Sequence, residues 1–225
     1  MIGIDTASLA AVLEEDRSAD DLGEYFGASH GTHDVAYTGG WFERLAGGGD
    51  RPQTAGHIAA DDLIAVEMLS VRVPPRVVLD LLHGQLGRQL SGLLALIPTQ
   101  VPLGSHGAKR HIAPGSPADQ AWDLLVARHG VKSVIASKVL ARKRPHLLPV
   151  YDGVVACALG SPDLAVFWTA LHQTLAADGG GLDGRLTQLR ATAGLDDISN
   201  IRALDVVLWM RHHEAHTERG CPGLT

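Results

Sequence analysis

One interval of the chain concentrates charge of a single sign. Between Asp123 and Asp152 there is no acid, and six cations fall there: Arg128, Lys132, Lys138, Arg142, Lys143 and Arg144. The formal net charge of the whole chain is −6. A chain that is acidic overall is no general binder of nucleic acid, so any such site must be a local basic face. A phosphate backbone is the commonest partner for one. The interval closes on "PVYDGVV", in which Asp152 is a lone carboxylate just beyond the cations. A carboxylate beside a nucleotide pocket can support an oxocarbenium-like sugar and activate water. The same residue ahead of Gly153-Val154-Val155 also reads as a helix N-cap, and the two roles are compatible. Tyr37, Trp41 and Tyr151 are candidates to stack on a base extruded from a duplex; the blander place for each is core or rim. Glu43 and Glu67 read first as surface acids.

Other chemistries find less support. His30-x-x-His33-Asp34 has ligand-like spacing, but no converging ligands accompany it, so the expectation is no metal and no cofactor. His212, His213 and His216 do not form H-E-x-x-H. There is no G-x-S-x-G elbow, and "GGG" at 47–49 lacks the Lys-Ser/Thr of a P-loop. The two cysteines, Cys157 and Cys221, read as free thiols in a reducing compartment. Early acids at Asp5, Glu14, Glu15 and Asp16 argue against a signal peptide. No run nears the roughly 20 apolar residues that span a bilayer. These features together predict a cytoplasmic protein with no membrane partner.

The elements that must position these residues read as helices. The chain has 225 residues, 45% of them hydrophobic and only 4% aromatic, so aliphatic side chains must fill the core. Asp61-Asp62 precede helical spacing at Leu63, Val66 and Leu69, and Pro74-Pro75 resets the pattern. Val77, Val78, Leu81 and Leu82 mark a second helix ended by Gly84, and "QLGRQLSGLLALI" a third stopped by Pro98. Residues 27–58 and 98–116 read as irregular. Ser116-Pro117-Ala118-Asp119 combines a capping serine, a proline at the first helical position and an acid three on. Gly130 breaks that helix, and Val131, Val134, Ile135 and Val139 open the next, which Pro145 stops. A helix starting at Lys132-Ser133 presents unpaired N–H groups and the positive end of its dipole, a natural seat for phosphate. Ser161-Pro162 starts a helix ended by the glycines at 179–181; Leu182, Leu186 and Leu189 mark another, and Ser199 or Asn200 caps the last. "LLPVYDGVVACAL" is ambiguous, because its β-branched residues also suit a strand. No alternating strand pattern of useful length exists elsewhere, so the fold class is all-α, with about nine helices in this reading.

"L-x-x-x-x-G-V-x-x-x-x-A-x-x-V-L", Leu125 to Leu140, resembles the helix-hairpin-helix motif. In the helix-hairpin-helix DNA glycosylases the hairpin is followed by "P-V-D-x-x-V", and Pro149-Val150-Tyr151-Asp152-Gly153-Val154-Val155 takes that place here. Upstream, "DDLIAVEMLSVRV" is similar to the helix that opens the same core. The resemblance covers about 100 residues, 60 to 160, and a divergent bacterial family sharing "ARKRP" and "PVYD" is the expected nearest relative. It implies an all-α, glycosylase-like bundle with a cleft between two helical layers. Its core would lie at 61–160, with 1–60 packing against helices at 161–215 and a tail at 216–225. It implies that Gly130, Val131, Lys132, Ser133, Lys138, Arg142 and Lys143 contact the backbone of duplex DNA, and that Tyr37, Trp41 and Tyr151 line a base pocket. Asp152 would then assist hydrolysis of the N-glycosidic bond of a modified base, in a monomer. Lys132 replaces the second turn glycine, and Tyr151 is inserted before Asp152. Val134 stands where bifunctional members carry a Schiff-base lysine, so the activity implied is monofunctional. A non-catalytic DNA-binding protein on the same scaffold is the alternative.

Overall fold

The computed structural model describes residues 4–14, 17–27, 37–160 and 164–219. Among them there is no strand, and the fold is all-α. The helices are α1 (Thr6–Glu14), α2 (Arg17–Phe26), α3 (Ala60–Glu67), α4 (Pro75–His83), α5 (Gln85–Leu94), α6 (Lys109–Ile112), α7 (Pro117–Val126), α8 (Ser133–Lys143), α9 (Gly153–Ala158), α10 (Leu164–Ala176), α11 (Gly181–Thr192) and α12 (Asn200–Arg219). Short 3-10 turns join some of them, including Thr38–Trp41 and Leu45–Gly47. No helix among the described residues is long and apolar enough to cross a membrane.

The local signals act as their chemistry dictates. Ser116 caps α7, its hydroxyl accepting from Asp119 N at 3.3 Å, with Pro117 at the first helical position. Asp62, not a residue ahead of the helix, serves the start of α3: its Oδ2 accepts from Ala59 N at 2.9 Å. Gly84 ends α4. Ser199 caps the start of α12, accepting from Arg202 N at 3.1 Å. The ambiguous run around Asp152 becomes α9, because the Asp152 carboxylate accepts from Val154 N at 2.9 Å and closes the first turn.

The chain forms two compact units, Thr38–Pro102 with Gly107–Val150, and Met1–Tyr37 with Leu103–His106 and Tyr151–Thr225. The divisions fall at 37/38 and 150/151, where the sequence reading placed them at 60 and 160. In the 38–150 unit α3 packs on α8, α5 on α7 and on α4, and α7 on α8. Leu63, Val66, Leu86, Leu90, Leu94, Leu125, Val139 and Leu140 fill its core. In the other unit α12 packs on α2, α9 and α11, around Leu9, Leu22, Phe26, Leu175, Leu186, Leu204 and Val207. Aliphatic residues dominate both cores, as the scarcity of aromatics requires.

Candidate nucleic-acid interface and carboxylate site

The turn between α7 and α8 is open to solvent. Gly130 is exposed with φ +82°, a conformation that glycine adopts at little cost. Val131 is buried and anchors the turn. Lys132 is exposed and stands at the N-cap of α8 with extended backbone, its carbonyl accepting from Ile135 N and Ala136 N. The turn lies against the start of another helix: a Cβ added at Gly130 would stand 2.9 Å from Pro74 Cγ, and Pro74 immediately precedes α4. Two helix N-termini therefore meet at one edge of this unit, each presenting the positive end of its dipole. Arg72 and Arg76, both exposed, flank Pro74. The sequence reading missed them; the signal lay in "VRVPPRV", where a proline-started helix carries a cation on either side.

The central cations do not join that edge. Lys138, Arg142, Lys143 and Arg144 are 3, 1, 0 and 2% exposed, so the expected contacts of Lys138, Arg142 and Lys143 with a DNA backbone are corrected: these side chains are internal. Arg142 donates to Phe42 O at 2.5 Å, Leu45 O at 2.6 Å and Asp62 Oδ1 at 3.1 Å. Lys143 donates to Asp62 Oδ2 at 2.8 Å and Thr54 O at 2.9 Å. Arg144 reaches Leu94 O and Ile97 O, around the end of α5, and Ala55 O. Lys138 Nζ donates to Leu69 O at 2.9 Å. The cations hold loops and a helix end by their carbonyls, with buried Asp62 as a counter-charge. Burial, only partly offset by Asp62, lowers the pKa of Arg142 and Lys143, and burial holds Arg144 down to about 10. This explains why residues 38–60 belong with the 61–150 helices: their carbonyls are ligands of α8.

Asp152 and its neighbours belong to the other unit. Asp152 is half-buried at the N-cap of α9. Tyr151, also half-buried, meets Phe167 edge-on at 5.2 Å. Tyr37 stacks on Tyr25 at 5.1 Å and 10°, and Trp209 stands edge-on to both. Trp41 lies in the 38–150 unit, so the three aromatics expected in one pocket are divided between units. Arg202 Nη2 donates to the Tyr25 hydroxyl at 2.8 Å, while its Nη1 pairs with Asp205. All three are buried, with the Arg202 guanidinium 5.3 Å from the Tyr25 ring centroid. Burial raises the Tyr25 pKa; Arg202 opposes the shift, while the charges of Asp205 and Asp152 add to it. Tyr25, Arg202 and Asp205 escaped the sequence reading, which weighed on α12 only its cap at Ser199 or Asn200, its apolar positions and the histidines at 212, 213 and 216. The signal was the stripe Arg202, Asp205, Trp209, His213 at helical spacing. Among the described residues no group of three or more His, Cys, Asp or Glu is placed to hold a metal ion, and the His30–Asp34 segment and Ser161-Pro162 lie outside them.

A family model described as a family of unknown function, DUF6308, matches residues 18–212. The chain belongs to the DUF6308 family. The match takes in α3 to α11 whole and most of α2 and α12, so both units of this DUF6308 protein lie within the family's extent. No curated protein and no solved structure matches the chain.

Proposed function

We propose that this protein binds duplex DNA by its phosphate backbone, through the 128–133 hairpin and the start of α4. Asp152 in turn assists hydrolysis of the N-glycosidic bond of a modified base. The observation that carries the binding half is the approach of Gly130 to Pro74, which sets two helix N-termini and the exposed cations Arg72, Arg76 and Lys132 at one edge. Support for the chemical half is the half-buried carboxylate of Asp152, held at a helix start and bracketed in sequence by the hairpin before it and α9 after it. The engagement of Asp152 as a cap also favours a second reading, binding without chemistry.

Fluorescence anisotropy on a labelled duplex tests the binding half. Lys132→Glu and the pair Arg72→Glu/Arg76→Glu are expected to weaken binding together with its salt dependence; binding that ignores both changes overturns it. Release of base from damaged duplex tests the chemical half. It is expected to vanish in Asp152→Asn while binding persists; base release that survives in Asp152→Asn removes Asp152 from the chemistry, and base release absent from the unsubstituted protein selects the second reading.

A further inference from the structure

Charge is segregated between the two units. Thr38–Pro102 with Gly107–Val150 holds 13 lysines and arginines against 8 acids, a formal charge of +5. The other unit holds 6 against 17, a formal charge of −11. The cations are also used differently. In the acidic unit Arg17 and Arg211 pair with Asp21, Arg185 with Glu14 and Arg202 with Asp205. In the basic unit Arg72, Arg76, Arg88, Lys109, Arg110 and Lys132 are exposed, and none of them pairs with a carboxylate among the described residues. Exposed cations without a counter-charge, gathered on one unit, raise a local potential that favours a polyanion. We infer that Lys109 and Arg110, on α6, form a second contact for a duplex backbone, at the end of α7 opposite the hairpin. The inference rests on the reading of the hairpin edge as a duplex contact and extends it along the same unit.

The place of α6 is fixed by its link to α7. Residues 113–116 join the two helices and are pinned to the first turn of α7: Gly115 N donates to Asp119 Oδ2 at 2.7 Å, and Gln120 Nε2 donates to Gly115 O at 2.8 Å. Lys109 and Arg110 therefore stand by the start of α7, while the 128–133 hairpin follows its end. The ten residues of α7 rise about 15 Å. A B-form major groove is about 12 Å wide and a full turn about 34 Å long, so backbone strands bordering one groove can reach both ends of the helix. No acid occurs between Asp80 and Asp119. Of the two acids on α7, Asp119 is held by Gly115 N and Asp123 is exposed, which favours phosphate at the ends of α7 over its middle. Arg110 donates its Nε to His111 Nε2 at 3.0 Å, and its terminal nitrogens have no partner among the described residues. A guanidinium with that edge free suits a phosphate bidentately.

Lysine footprinting tests this on the unsubstituted chain. The sequence has four lysines, at 109, 132, 138 and 143. Lys109 and Lys132 are exposed, whereas Lys138 and Lys143 are 3 and 0% exposed and serve as internal controls. Brief acetylation read by mass spectrometry is expected to mark Lys109 and Lys132 in the free protein, and a saturating duplex of about 20 base pairs to protect both. Lys132 protected with Lys109 still reactive overturns the second contact and leaves the hairpin edge standing. Lys109 protected with Lys132 still reactive does the reverse, moving the duplex from the hairpin to α6. Both still reactive sinks the two together. Lys109→Gln/Arg110→Gln is expected to weaken duplex affinity by about tenfold or more at 0.1 M salt. Unchanged affinity in that variant overturns the contact even where Lys109 is shielded, since the shielding would then come without a bond to phosphate.

Discussion

At the scale of single residues, the capping duty of Asp152 can be separated from the catalytic duty proposed for it. Its capping bond to Val154 N is available to an asparagine side chain but not to alanine. Asp152→Ala is therefore expected to lower stability by about 1 kcal/mol, and Asp152→Asn by much less, measured as urea midpoints. A large loss in Asp152→Asn would show that the charge, not the cap, holds α9. His212 gives a pH dependence of defined sign. Burial, and then the neighbouring Arg211, lower its pKa below the ordinary 6.5. The folded state thus takes up the proton later than the unfolded state, so stability is lost as pH falls through 6.5 towards the folded value. Melting temperatures compared at pH 7.5 and 5.5 are expected to fall more in the unsubstituted protein than in His212→Gln.

At the scale of elements, two joints of the 38–150 unit are exposed to test. The hairpin turn depends on a residue without a Cβ, both for its φ of +82° and for the 2.9 Å gap to Pro74 Cγ. Gly130→Ala is expected to cost about 1–2 kcal/mol from the left-handed backbone alone. It should weaken duplex binding too, by parting the starts of α4 and α8. Affinity unchanged in a variant destabilised by that amount would separate the turn from the binding edge. The second joint is α3 on α8, where the Asp62 carboxylate bonds Arg142 and Lys143 in a place only 0–2% exposed. Asp62→Asn strips two buried cations of their counter-charge, and a loss of about 3–5 kcal/mol is expected in denaturant titrations. The resulting loosening should release residues 42–54, where the carbonyls of Phe42, Leu45 and Thr54 share the same cations, and amide exchange there would report it.

At the scale of the whole molecule, charge distribution bounds the proposed binding of a polyanion. With a net charge of −6 and the densest run of cations internal, the proposed polyanion contact rests on the exposed edge of Arg72, Arg76 and Lys132. Affinity is then expected to be modest and steeply dependent on salt. Each phosphate neutralised contributes a slope of about −0.9 in log affinity against log salt concentration. Three exposed cations at the edge set an expected slope of about −2 to −3, reduced by about one in Lys132→Glu. A slope near zero in anisotropy measurements between 50 and 200 mM salt would leave the edge without an electrostatic role.

The chain order of residues by itself determined the helical class, most helix ends and the exposed turn. Those rest on interactions within a few positions, such as Ser116 with Asp119 N, Gly84 after α4, Gly130 in its turn, and Asp152 with Val154 N. Tertiary structure alone decided the fate of "ARKR". Three consecutive cations read as a solvated or polyanion-binding face, because burying charge is costly unless partners surround it. The partners here are Asp62, 80 and 81 positions away, and carbonyls at 42, 45, 54, 55, 94 and 97, none of which any local pattern announces. The same holds for Tyr25 and Arg202, 177 positions apart and joined by one hydrogen bond. Short-range chemistry is legible in a sequence because neighbours are given, whereas long-range pairing waits for packing to choose which distant groups share a site.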